Sequence, residues 1–148
     1  MSRPSGRTAP CSRADAQGRF RRAEAFLYVA DLVLGEQVAD DGGNDAINLS
    51  GVSAALAVLA GIAAADAACC HRLGTRSRGQ DHGRAVALVG TIVPNGPEMA
   101  RDLDRLLDLK DNAHYGVLGV SQTDARWSRP GAAGKALTAQ APPPIRIR

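Results

Sequence analysis

Four residues of this chain have the chemistry and the spacing to form a site: Asp66, His82, Lys110 and His114. At about 100° per residue, side chains three or four positions apart share a helix face. Leu103, Leu106 and Leu107 mark one apolar stripe. Lys110 and His114 fall within roughly 20° of its centre at Leu103. Val86, Val89 and Val93 mark a second stripe, with His82 in line, and Leu59, Ile62 and Cys70 share a face with Asp66. Three segments thus carry ionisable groups on the side that should be buried. A charge taken out of water needs a partner. Asp66 with Lys110, or with one of the histidines, would satisfy that need. The set reads in two ways. It could form a cleft for acid–base work, since histidine changes charge near neutral pH. It could equally be a closed structural pair, with His82 and His114 near helix ends where the stripe emerges into water.

A second kind of chemistry lies just upstream. Arg72, Arg76 and Arg78 sit close together before the third helical segment. Guanidinium forks suit phosphate, and a helix N-terminus adds backbone N–H donors. An ordinary solvated loop fits the same residues. The sequence has no P-loop, GxGxxG, HExxH or GxSxG pattern. His71, His82 and His114 lack metal-ligand spacing among themselves or with the cysteines, so neither a metal nor a cofactor is expected.

The elements that must position these groups follow from periodicity and punctuation. Residues 1–13 are rich in Ser, Pro, Arg and Gly and read as a disordered basic lead. A first helix is predicted from about Ala14 to Glu36, where Phe26, Leu27, Ala30, Val33 and Leu34 recur at helical spacing. Asp40 to Asn44 is a loop. The second helix starts near Asn48 or Ser50, runs to about Arg72 and ends at Gly74. Thr75 to Gln80 is a polar turn, and a third helix covers about Asp81 to Val93. Pro94-Asn95-Gly96-Pro97-Glu98 stops it and starts a fourth, which reaches His114 or Tyr115. Ser121-Gln122-Thr123-Asp124 has capping-box spacing and would open a short fifth helix. The domain therefore spans residues 14–127, followed by a disordered, Pro-rich basic tail, 128–148. Helices with short connections predict an all-α fold, an antiparallel up-and-down bundle of four helices with the short fifth as an addition.

Composition agrees with that class. The 148 residues include 27 Ala and 14 Leu but only five aromatics, Phe20, Phe26, Tyr28, Tyr115 and Trp127. Ala and Leu favour helices, whereas strands favour β-branched and aromatic side chains, so an all-β sandwich or barrel is excluded. The net charge of +3 comes from the ends. Residues 1–22 hold six Arg against Asp15, and residues 126–148 hold five basic groups and no acid. Residues 23–125 carry seven basic and fourteen acidic residues. Basic ends can bind phosphates without reading sequence, or simply keep the chain soluble. Val52 to Cys70 is almost long enough to span a bilayer, but it is mostly Ala, contains Gly61 and holds Asp66, which predicts a core helix and no membrane span. The N-terminus lacks an apolar segment and does not read as a secretory signal. Three cysteines, with Cys69 and Cys70 adjacent, read as buried, inert thiols of a reducing, cytoplasmic compartment.

The segment Arg105-Leu106-Leu107-Asp108-Leu109-Lys110-Asp111-Asn112-Ala113-His114-Tyr115-Gly116 resembles the end of the fourth helix in HEPN domains. The Ala-rich second helix ending in Asp66-Ala67-Ala68-Cys69-Cys70-His71, followed by Gly79-Gln80-Asp81-His82, is similar to that family too. The likeness covers about residues 23–125 and is nearest to small stand-alone actinobacterial HEPN proteins. It implies a helical bundle, often a homodimer, that binds RNA. Many members are metal-independent endoribonucleases of toxin–antitoxin or RNA-processing systems, and others only bind nucleotides or a protein partner, such as an antitoxin or a nucleotidyltransferase-like protein. The family signature is an Arg, four to six residues, then a His. Here Lys110 stands three intervening residues before His114, and Arg76 stands five before His82, ahead of the third helix. Carried over, the likeness makes His114 the general acid/base and Lys110 its phosphate-stabilising neighbour, with Asp66 orienting the pair. Arg76, Arg78 and His82 become phosphate contacts. The competing expectation is a non-catalytic helical module, either a dimeric scaffold or an antitoxin-like partner.

Overall fold

A computed structural model describes residues 7–39, 49–78 and 82–115. Those residues are mostly helical, with one small sheet. In chain order they form β1 (Thr8–Pro10), α1 (Arg13–Ala39), α2 (Leu49–Leu73), β2 (Thr75–Ser77), α3 (His82–Gly90) and α4 (Gly96–Tyr115). The four expected helices are present within a few residues of their predicted limits. The expected loop at Asp40–Asn44, the fifth helix from Ser121 and the tail 128–148 lie outside the described residues.

Each helix is delimited by local chemistry. Ser12 caps α1 with a reciprocal capping box: the Ser12 N–H donates to Asp15 Oδ2 at 2.8 Å, and the Asp15 N–H donates to Ser12 Oγ at 3.1 Å. These bonds hold the Asp15 carboxyl below its ordinary pKa, with the Ser12 backbone bond the largest cause. Gly74 ends α2 in the left-handed region, φ 66°, with its N–H donating to the Cys70 carbonyl at 3.2 Å. The α3–α4 turn is tight. Thr91 N–H donates to Leu88 O and Ile92 N–H to Val89 O, at 3.1 and 3.0 Å. Gly96 is required there, because a Cβ would meet Val89 O at 2.7 Å.

The core lies between α2, α3 and α4. Val58, Ala65, Ala68 and Cys69 of α2 pack with Val89, Ile92, Met99, Leu103 and Leu107. Gly61 lets α4 come close, since an added Cβ would sit 2.6 Å from Leu106 Cδ1. α1 packs along α2. There Ala23, Ala63 and Ala64 form a small buried cluster, and the Ser53 hydroxyl donates to the Ala30 carbonyl at 2.8 Å. Small side chains let the two helix backbones approach along this contact. α2 is long and apolar enough to cross a membrane, and most of it is buried inside the fold.

Four expectations need correction. The third helix ends at Gly90, and Val93, placed on its buried stripe, is 78% exposed. The i→i+3 bonds and Pro94 stop the helix, and Ile92 fills the core position instead. Leu59 is exposed, so the α2 core face is centred on Val58, Ala65 and Cys69. The lead is ordered from Arg7 onward: β1 pairs antiparallel with β2, with Thr8 opposite Ser77 and Pro10 opposite Thr75, where a polar turn was expected. Finally, the cysteines are not all free. Cys11 and Cys70 form a disulfide across 59 positions, leaving Cys69 as a buried thiol.

Candidate functional site

The disulfide and the sheet bring the start of the chain to the end of α2. Cys11 N–H donates to the Gly74 carbonyl at 3.0 Å, the Thr75 hydroxyl to the Ala9 carbonyl at 3.1 Å, and Arg78 N–H to the Arg7 carbonyl at 2.8 Å. Arg7 and Arg78 are therefore neighbours at one edge of the sheet, and both are exposed. Arg76 stands on β2 opposite Ala9.

Asp66 is the acid at this end. Its carboxylate accepts from Arg19 at 2.9 Å and lies 3.9 Å from Arg76. The aspartate side chain is 15% exposed, whereas the two arginines are 31% and 28% exposed. Burial pushes the Asp66 carboxyl above its ordinary pKa, and the two guanidiniums pull it part of the way back. The expected pairing of Asp66 with Lys110 is thus corrected, since Lys110 meets His82 instead, and a pairing with His114 falls outside the described side chains. Helical phase located Asp66 on an inward face, but among the described residues α1 and β2 present the cations that reach it. The same two arginines act on Asp15. Arg13 and Arg72 both act on His71, whose pKa is lowered first by burial and then by these two charges. Arg72 also donates to the Val93 carbonyl.

Six arginines, at positions 7, 13, 19, 72, 76 and 78, therefore surround one end of α2, with Asp15 and Asp66 as the acids among them. The side-chain oxygen of Ser77, between two of these arginines, is buried and has no hydrogen-bond partner. The sequence singled out Arg72, Arg76 and Arg78 but left Arg7, Arg13 and Arg19 among the basic residues of the N-terminal end. The one local signal that bore on them is the Ser12-x-x-Asp15 spacing, which fixes the start of α1.

A second grouping joins α3 and α4. Lys110 Nζ lies 3.1 Å from His82 Nε2, and both side chains are half-buried. The direction of that bond follows from which ring nitrogen of His82 carries the proton. α3 packs against β2, and three residues of chain, four Cα-to-Cα steps, separate Arg78 from His82. Such a stretch reaches no more than about 14 Å. His114 belongs to the last turn of α4, and its side chain lies outside those described.

Among the described residues no three His, Cys, Asp or Glu come together as metal ligands. Cys69, against the core, has its thiol pushed up to about 12 by burial and by the neighbouring Asp66 charge, so it is no nucleophile at neutral pH. Comparison with protein-family models, with curated proteins and with solved structures yields no match to this chain.

Proposed function

We propose that the chain is a HEPN-like RNA-binding protein, an antiparallel up-and-down helical bundle that grips RNA phosphates at its arginine-rich end. One observation carries this reading: the six arginines converge on one end of α2 although residues 23–125 are acidic as a whole. Phosphate binding gives that concentration a purpose. Asp66 holds Arg19 and Arg76 in position, and Arg78 and Arg7 stand free of it at the sheet edge.

Cleavage is the stronger form of the proposal. His114 takes the proton of a ribose 2′-hydroxyl as that oxygen attacks phosphorus. Lys110 and its neighbour His82 face the developing charge on the phosphate. The role expected for Asp66, orienting His114 and Lys110, passes to the positioning of arginines. Incubation of the purified full chain with labelled RNA in EDTA, beside His114→Ala and Lys110→Ala, tests it. Cleavage by the wild type that both variants lose supports an endoribonuclease. Binding without cleavage across varied RNAs leaves a binding module.

The second reading, a non-catalytic interaction module, is favoured by exposed apolar side chains. Tyr28, Val29 and Leu32 share one face of α1, and Val52 and Leu59 share a face of α2. A second copy of the chain, or an antitoxin or nucleotidyltransferase-like protein, would cover them. Light scattering of wild type and of Tyr28→Glu/Leu32→Glu separates a dimer from a monomer. A cytoplasmic location now rests on RNA as the partner, since the Cys11–Cys70 bridge removes the argument from free thiols.

A further inference from the structure

We infer that the Cys11–Cys70 bridge is a redox latch: a dithiol opens it, residues 7–12 leave β2, and the arginine-rich end loses part of its hold on polyanions. The last clause rests on the RNA reading above, and the first two do not.

The hold of β1 on the rest of the fold is slight apart from the bridge. The ladder is three residues long, supported by the Thr75 hydroxyl bond and by single backbone bonds at Cys11 and Arg78. A two-stranded ribbon of that length is marginal in water. The disulfide is the one covalent tie that keeps Arg7 and Arg78 side by side. It also fixes Ser12, and with it the start of α1 from which Arg13 and Arg19 project.

The bridge is reachable from one side. Cys11 is half-exposed and Cys70 is buried. An incoming thiolate attacks Cys11 Sγ, the S–S bond breaks, and Cys70 leaves as a thiolate that takes up a proton. The second sulfur of the dithiol then displaces Cys11 from the mixed disulfide. Two electrons and two protons pass to the protein, which gains two thiols, and the dithiol becomes a cyclic disulfide. Cys69 takes no part, because it is packed in the α2–α3–α4 core.

The test uses the full chain, dithiothreitol as the dithiol and a labelled single-stranded RNA. Hydrogen exchange at residues 7–12 and 75–78 is followed in oxidised and reduced protein, and RNA affinity is measured in both states. The expected result is faster exchange in those segments after reduction and weaker RNA binding. Losing two phosphate contacts corresponds to a change on the order of tenfold at 0.1 M salt. Cys11→Ser should behave as the reduced protein in either buffer, and Cys69→Ser should still respond. Unchanged exchange on reduction overturns the latch, whatever the RNA does. Faster exchange with equal RNA affinity in the two states overturns its effect on binding. Faster exchange with no RNA binding in either state keeps the opening and overturns the RNA reading instead.

Discussion

Removing the disulfide tests the packing of the N-terminal segment, and its energetic effect can be worked from the fold. The bridge closes a loop across 59 positions. Chain-entropy reasoning assigns such a cross-link about 4 kcal/mol, by narrowing the unfolded ensemble. Cys11→Ser, at the half-exposed end, loses that constraint and leaves Cys70 as a buried thiol, which packs as a small apolar group. Cys70→Ser loses the same constraint and also buries a hydroxyl at a position that is 3% exposed. An unsatisfied buried hydroxyl adds roughly 1–3 kcal/mol. Cys70→Ala avoids that addition. The expected order of stability is wild type, then Cys11→Ser and Cys70→Ala together, then Cys70→Ser. Urea unfolding without reductant reads it through the midpoint, with the slope checked for constancy. Cys11→Ser within about 1 kcal/mol of the wild type would refute the reasoning. So would equal stability of Cys70→Ser and Cys70→Ala.

Further expectations follow from individual residues. Burial raises the Asp66 carboxyl, so its folded form binds a proton more readily than the unfolded chain. Stability from this group is full below the unfolded carboxylate range and falls as pH rises through the folded value. Asp66→Asn should therefore lose stability more steeply than the wild type as pH falls and be tolerated at neutral pH, as thermal unfolding from pH 4 to 7 would show. Arg19→Ala removes the 2.9 Å partner of a half-buried charge and should lower stability by about 1 kcal/mol, less at high salt. Gly96→Ala places a methyl group against backbone that cannot retreat, Val89 O at 2.7 Å, and should destabilise by about 1–3 kcal/mol in denaturant titration. Leu103→Ala empties a position that is 4% exposed in the α2–α3–α4 core and should lower stability by roughly 2–5 kcal/mol.

The helices were readable because their signals are local. Leu103, Leu106 and Leu107 repeat at one phase and are all buried. Gly74 and the run Pro94 to Glu98 punctuate the chain where the structure turns. The strands were not readable. Thr8–Pro10 and Thr75–Ser77 are too short to show a period, and each exists only because the other is there. The pairing of Cys11 with Cys70 needs the same long-range information, since three cysteines leave the choice of partner open. Phase placed Asp66 and Lys110 on inward faces, but phase describes one helix at a time. Which neighbour meets which face depends on how the helices pack. Asp66 accordingly went to Arg19, 47 positions away, and Lys110 to His82.

The claim at the centre of this account is that the arginine-rich end binds RNA phosphates. Fluorescence anisotropy of a single-stranded RNA with the full chain, repeated from 50 to 300 mM salt, tests it most directly when Arg76→Gln/Arg78→Gln is run beside the wild type. Each lost phosphate contact should reduce the slope of log affinity against log salt by about 0.7, so the double variant should bind more weakly with a slope shallower by about 1.4. Superimposable slopes and affinities for the two proteins would contradict it.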